Sequence, residues 1–219
     1  RVIFGIRSAR EAGPSMNNTN IPYARYGHVI MLQKLKESLE GCPIVDLNGY
    51  DYFVHPLADG VPGIDPSLLD EVVDRMIEIG DLDCDRIVTS EAMGIPVGTL
   101  LSYKTGIPLT IVRKKRYGLP GETSLRQHTG YSKTDMFING IGRGDRVVLV
   151  DDVVSTGGTL HAIAEALREV IGAEIVDILV IFDKSDRTSS PDIENGPRIK
   201  ALMKVAIEEG RVVYQLPPS

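Results

Sequence analysis

The chain has little cysteine, little histidine and no excess of positive charge, and each shortage removes a class of function. Only Cys42 and Cys84 occur in 219 residues. They are far apart and lack the paired spacing of a metal site or a disulfide framework, so both read as buried or half-buried free thiols. His28, His55, His128 and His161 have no tight ligand spacing either, which argues against a histidine-based metal centre. A formal charge of −6 argues against nucleic acid as a partner, because that requires a basic face. No apolar run approaches the roughly 20 residues that cross a bilayer. The longest, residues 175–182, is interrupted by Asp177. With no apolar signal core at the N-terminus, the expectation is a cytoplasmic protein without a membrane partner.

What is present is an ordinary globular composition, 42% apolar and 25% charged. Residues 1–30 are polar and turn-rich and read as an extension, either an arm or a non-native segment; residues 31–219 read as one domain. From Met31, Leu32, Leu35 and Leu39 share a helical face that stops at Gly41. Asn48-Gly49 marks a hairpin between two short β runs. Asp65 and Pro66 open a helix whose stripe is Leu69, Val72, Val73 and Met76. Strand-like runs follow at 86–89, 108–112 and 146–150, with a fourth beginning at Glu174, and helical segments separate most of them. This alternation predicts an α/β fold, a central and mostly parallel sheet flanked by helices, with a small N-terminal hairpin and helix subregion. "RIKALMKVAIEEG" reads as a last helix, before a short β run at "RVVYQL".

Ligands of open parallel sheets bind beyond the carboxyl ends of the strands, and three loops there are unusual. The first follows "RVVLV": two adjacent carboxylates, Asp151 and Asp152, then Ser155-Thr156-Gly157-Gly158-Thr159. Glycines and a helix start gather backbone N–H groups for a phosphate, and hydroxyls add donors. A tight turn with a capping hydroxyl would explain one of these residues but not the acid pair beside the glycine pair. Acids ahead of a phosphate cradle suit a phosphorylated sugar, whose hydroxyls they can accept. The second loop is Glu91-Ala92-Met93-Gly94. The third follows Val112 with Arg113, Lys114, Lys115 and Arg116, then "YGLPGE" and a polar stretch. A loop of about twenty residues inside a compact domain is usually functional, and four cations in an acidic chain would attract a polyphosphate.

"VVLVDDVVSTGGT" resembles the phosphoribosyl-pyrophosphate signature of the type I phosphoribosyltransferases. A Walker-type loop would need Gly-Lys-Ser/Thr, and a dinucleotide fingerprint would lack the acid pair. The resemblance spans roughly residues 31–182. It is closest to the archaeal-type hypoxanthine enzymes, through "DGVP" at 59–62 and "GYSK", and is related to adenine phosphoribosyltransferases. It implies purine salvage: transfer of phosphoribosyl to a purine base with release of pyrophosphate and with Mg²⁺ as cofactor. Asp151 and Asp152 would hold the ribose hydroxyls and touch the metal only indirectly. Residues Ser155 to Thr159 would bind the 5-phosphate. Glu91, Ala92, Met93, Gly94, Arg113 and Lys114 would bind the pyrophosphate, with Met93 where adenine-type enzymes carry arginine. Lys115, Arg116, Tyr131 and Ser132 would belong to a loop, 114–134, that closes over the site and excludes water.

The group that handles the purine proton stays open among Glu122, His128 and Asp152. The resemblance favours hypoxanthine as acceptor, with guanine next and adenine as the alternative. A homodimer is implied as well. From another class, some relatives are non-catalytic sensors of the donor or of purines. Those usually carry a DNA-binding module, for which thirty polar residues and an acidic chain are poorly suited.

Overall fold

A computed structural model describes residues 31–129, 132–185 and 193–217, without the side chains of 126–129 and 132–134. The segment 1–30 and Tyr131 lie outside the described residues, as do the side chains of His128 and Ser132.

The order begins with α1 (Gln33–Leu39), the hairpin β1 (Ile44–Asp46) and β2 (Asp51–Phe53), α2 (Pro56–Asp59) and α3 (Pro66–Ile79). Asp65 caps α3, accepting from the N–H groups of Ser67 and Leu68, and Pro66 opens it, as the sequence implies. The buried stripe is Leu68, Val72, Val73 and Met76, with Leu69 only partly buried. The alternating unit follows: β3 (Arg86–Ser90), α4 (Gly94–Thr105), β4 (Leu109–Val112), β5 (Thr123–Thr129), β6 (Ser132–Ile138), β7 (Arg146–Val154) and α5 (Gly158–Glu165). Helix α5 runs into a π-helical turn, Ala166–Ile171, before β8 (Glu174–Asp183), β9 (Ile199–Glu208) and β10 (Arg211–Gln215).

The central sheet has the order β10-β9-β8-β7-β3-β4. All neighbours are parallel except the β9–β10 pair. Both faces are covered, so its inner strands are apolar on both sides. On one face Val148, Val150 and Leu179 pack with Leu35, Val72, Met76, Val97 and Leu101 of α1, α3 and α4. On the other, Val147, Leu149 and Ile178 pack with Leu160, Ile163 and Leu167, and with Leu125 and Met136 of the β5–β6 hairpin. Among the described residues no helix is long and apolar enough to cross a membrane.

Two expectations are corrected. "RIKALMKVAIEEG" is not a helix but strand β9, turned into β10 by Glu209 and Gly210, with φ of 50° and 71°. Two successive positive φ values are those of a tight hairpin turn that follows strand twist. Ala, Leu, Met and Lys favour helix locally, but the open edge of β8 and the β10 partner outweigh that weak preference. The segment after Val112 is also not structureless: β5 and β6 pair antiparallel from Thr123↔Ile138 to Thr129↔Ser132. Its polarity hid an alternation in which Leu125, Met136 and Ile138 face the core.

Candidate active site

The three loops meet at the carboxyl ends of β3, β4 and β7, and two close contacts join them. The first is at Gly94, the first residue of α4. A Cβ built there would lie 2.7 Å from Asp151 Oδ1 and would also collide with Thr89 Oγ1. Only glycine lets α4 approach β7 this closely. The second is the Glu91 carboxylate, which accepts from the Lys114 backbone N–H at 2.7 Å and ties the second loop to the third. Glu91 therefore braces the loop, and the backbone of Ala92, Met93 and Gly94 is the part that can meet a ligand. The Glu91–Ala92 peptide is cis.

Strand β7 continues through the acid pair rather than ending before it. Asp151 is 6% exposed and accepts from Ser90 Oγ and from the Asp152 N–H, both at 3.0 Å. Burial raises its carboxyl above the ordinary aspartate range. Asp152 is raised too, first by burial and then by the neighbouring Asp151 charge. Both shifts favour the protonated form, and cationic character or hydroxyl donors beside the pair would oppose them.

Beyond the pair, Ser155 and Thr156 are exposed and Gly157 turns the chain with φ of 76°. No side chain caps α5, so its first backbone donors point outward with the positive end of the helix. That arrangement, with Gly158 and Thr159 in the first turn, has the donor geometry that suits an anion.

On the third loop, Arg113 reaches Asn139 Oδ1 at 3.0 Å and lies 4.7 Å from the Tyr117 ring centroid. Lys114, Lys115 and Arg116 are exposed. Glu122 is occupied within the loop. It accepts from the N–H groups of Tyr117 and Gly118, each at 2.9 Å, and stands 3.6 Å from Arg116 Nε. These bonds hold its carboxyl below the usual range, so it serves as a staple of the Gly118–Gly121 turn where the sequence had offered it as a proton carrier. Buried polar atoms around the strand ends also lack a partner among the described residues: Thr89 Oγ1, Arg113 Nε, Asn139 Nδ2 and Ser185 Oγ. Buried donors are normally satisfied.

Sequence reasoning missed a fourth strand end. Lys184 follows β8, and its ammonium lies 3.9 Å from the Phe53 ring centroid and 4.4 Å from that of Tyr52. Burial lowers its pKa, while the carboxylates of Asp59 and Asp152 oppose that shift. Together with Ser185 it lines an open cavity of about 850 Å³ between β2 and the β9–β10 hairpin. The signal was available, since the strand-end rule that selected three loops applies equally to "DKS" after β8.

An acid pair, an uncapped glycine turn and unpartnered polar atoms thus lie at adjoining strand ends of a parallel sheet. The chain matches the phosphoribosyl transferase domain over residues 72–207 and belongs to that family. It is 52% identical over 182 residues to a hypoxanthine/guanine phosphoribosyltransferase from Methanohalophilus mahii, covering 83% of this chain and 95% of that one. It is 50% identical over 181 residues to HGPRTase-like protein 2 of Haloterrigena turkmenica, covering 83% and 98%. Among solved structures, an adenine phosphoribosyltransferase from Thermoanaerobacter pseudethanolicus superposes with a TM-score of 0.64. That match covers 79% of this chain and 99% of the other at 24% identity, and carries the fold alone.

Proposed function

We propose that the protein transfers the phosphoribosyl group of phosphoribosyl pyrophosphate to hypoxanthine, and secondarily to guanine, in purine salvage. The observation that carries the reading is buried Asp151 with half-buried Asp152 beside it, followed by the uncapped N-terminus of α5. The names of relatives at about half identity support it. In the reaction the bond from the anomeric carbon to pyrophosphate breaks, the bond to the purine nitrogen forms, and the nitrogen's proton leaves. Positive charge develops on the sugar in such transfers, and the two carboxylates supply the negative charge that would oppose it. Arg113, Lys114 and the 92–94 backbone receive the departing pyrophosphate. The 114–134 segment, built around the β5–β6 hairpin, covers the site against water.

Among the described residues no cluster of three or more His, Cys, Asp or Glu could hold a metal. The residues instead fit Mg²⁺ carried by the donor's own oxygens, as is usual for that ion, with Asp151 and Asp152 reaching it through ribose or water. The ion would supply charge neutralisation of the pyrophosphate. Of the candidates for the purine proton, Asp152 is within electrostatic reach of Lys184, while Glu122 is held in its loop. A 6-oxopurine needs a donor at its oxygen, and we read Lys184, whose ammonium has no carboxylate partner among the described residues, as that donor. Exposed Lys115 and Arg116 are read as reaching a second copy in a homodimer.

The test is turnover with phosphoribosyl pyrophosphate and Mg²⁺, offering hypoxanthine, guanine, xanthine and adenine separately. Hypoxanthine or guanine should be preferred. Preference for adenine would overturn the base assignment. Donor binding without turnover would favour a sensor instead.

A further inference from the structure

We propose that Asp59 is a positioning residue: through Tyr52 it fixes the ammonium of Lys184 and so sets the preference for a 6-oxopurine. The inference rests on the reading above that Lys184 addresses the base.

Asp59 ends the single-turn helix α2, and its two oxygens have different partners. Oδ2 accepts from the His55 backbone N–H at 2.8 Å, and Oδ1 accepts from the Tyr52 hydroxyl at 2.6 Å. One carboxylate thus binds the start of α2 to strand β2 and leaves the Tyr52 ring little freedom to turn. A phenol that donates to a carboxylate also gains electron density in its ring, which improves that ring as a partner for a cation.

Lys184 needs such a partner. Its backbone N–H donates to Val154 O at 2.7 Å, which anchors the main chain between β7 and β8. Its long side chain has no carboxylate within ion-pair distance among the described residues, so the neighbouring ring faces are what locate the nitrogen. Tyr52 and Phe53 present those faces with their planes 19° apart.

The anchor beneath Asp59 is rigid. His55 is fully buried, caps α2 by accepting from the Leu57 N–H at 3.1 Å, and packs edge-on against Phe182 at 4.9 Å. The far end of α2 lies on the second loop, since a Cβ on Gly60 would stand 3.7 Å from Met93 Cε. Asp59 therefore links the N-terminal subregion to the base side and, through Gly60, to the pyrophosphate side.

The experiment measures steady-state kinetics of Asp59→Asn, Tyr52→Phe and Lys184→Met in the full chain. Asp59→Asn and Tyr52→Phe should each raise KM for hypoxanthine by about tenfold, the size of one lost polar contact. Both should leave kcat and the KM for phosphoribosyl pyrophosphate within about twofold of the parent. Should Asp59→Asn fold poorly, Tyr52→Phe still decides, because it removes one hydroxyl and keeps the ring. A parental hypoxanthine KM in the folded Asp59 or Tyr52 variants, while Lys184→Met raises it, would overturn the clamp and leave the base reading standing. A parental KM in Lys184→Met would overturn the base reading instead. An equal loss in donor KM and kcat would show a structural role, and the inference would fail.

Discussion

The two ends of the parallel sheet each bury an aspartate, and they treat it in opposite ways. Near the amino end of β8, Asp177 is 1% exposed and fully occupied: Lys200 Nζ and the Asp81 N–H each donate to Oδ2 at 2.7 Å, and the Ile178 N–H donates to Oδ1. The same end is laced by Arg146 with Asp83 and Glu174. At the carboxyl end, Asp151 is buried beside a second acid, and Thr89, Arg113, Asn139 and Ser185 leave polar atoms unpartnered. A buried charge is tolerated when paired and costly when not. One end is therefore satisfied by the chain itself, while the other leaves polar atoms without a partner among the described residues and is the end read as taking a ligand.

The sharpest way to break this contrast is to neutralise one acid at the open end. Asp152→Asn should lower kcat by roughly 10²–10³-fold, in the range of removing one preorganised electrostatic contact from an active site. Its effect on stability should run the other way. A carboxyl whose folded pKa is raised is protonated more readily in the folded than in the unfolded chain. Stability then falls as pH rises above the unfolded value of about 3.9. The ligand-free variant should accordingly melt a few degrees higher than the parent at pH 7, with the gap closing towards pH 4 (a few degrees corresponds to about 1 kcal/mol). An active variant with an unchanged melting temperature would show that the pair is neither strained nor catalytic.

The second prediction sharpens the contrast by showing that the open end rests on a closed support. The His55 ring is buried and neutral, with its folded pKa lowered to about 4, chiefly by burial. Nδ1 accepts from Leu57 N–H, so the ring proton sits on Nε2, facing Ser38 Oγ at 2.9 Å. A lowered histidine contributes stability that is complete above the unfolded value of about 6.5 and is lost as pH falls towards 4. The loss should total about 3 kcal/mol. Urea midpoints at pH 7 and 4.5 should differ by much of that amount in the parent, and by clearly less in His55→Asn. Equal pH dependence in both would mean the ring is solvated.

How much of this was legible in the sequence depended on whether the signal was local. The acid pair, glycine turn and Gly94 sit in short contiguous motifs, and the Asp65-Pro66 helix start needs only its own turn, so all could be read directly. Strand β9 could not, because its composition favours helix and its pairing with β8 joins residues about twenty positions apart. Lys184 was missed for a related reason. The strand-end rule reached it, but what sets it apart, the ring faces of Tyr52 and Phe53, comes from more than 130 positions earlier in the chain. Glu122 illustrates the reverse: its residue type suits proton transfer, and only the two backbone donors that hold it reveal a staple.

The smallest expected effect lies at the satisfied end. Asp177→Asn keeps the shape of the side chain but loses the charge that Lys200 meets and one of the accepting positions that the Asp81 and Ile178 N–H groups use. Lys200 is 42% exposed and can turn to water, so the cost is that of a weakened hydrogen-bond set, about 1–2 kcal/mol. Because the site is at the opposite end of β8 from Lys184, kcat and both KM values should stay within twofold at a temperature where the variant is folded. Chemical denaturation together with the purine assay checks both parts. A large fall in kcat without a fall in stability would mean that the two ends are coupled through β8, and the division between a self-satisfied end and a ligand-requiring end would have to be abandoned.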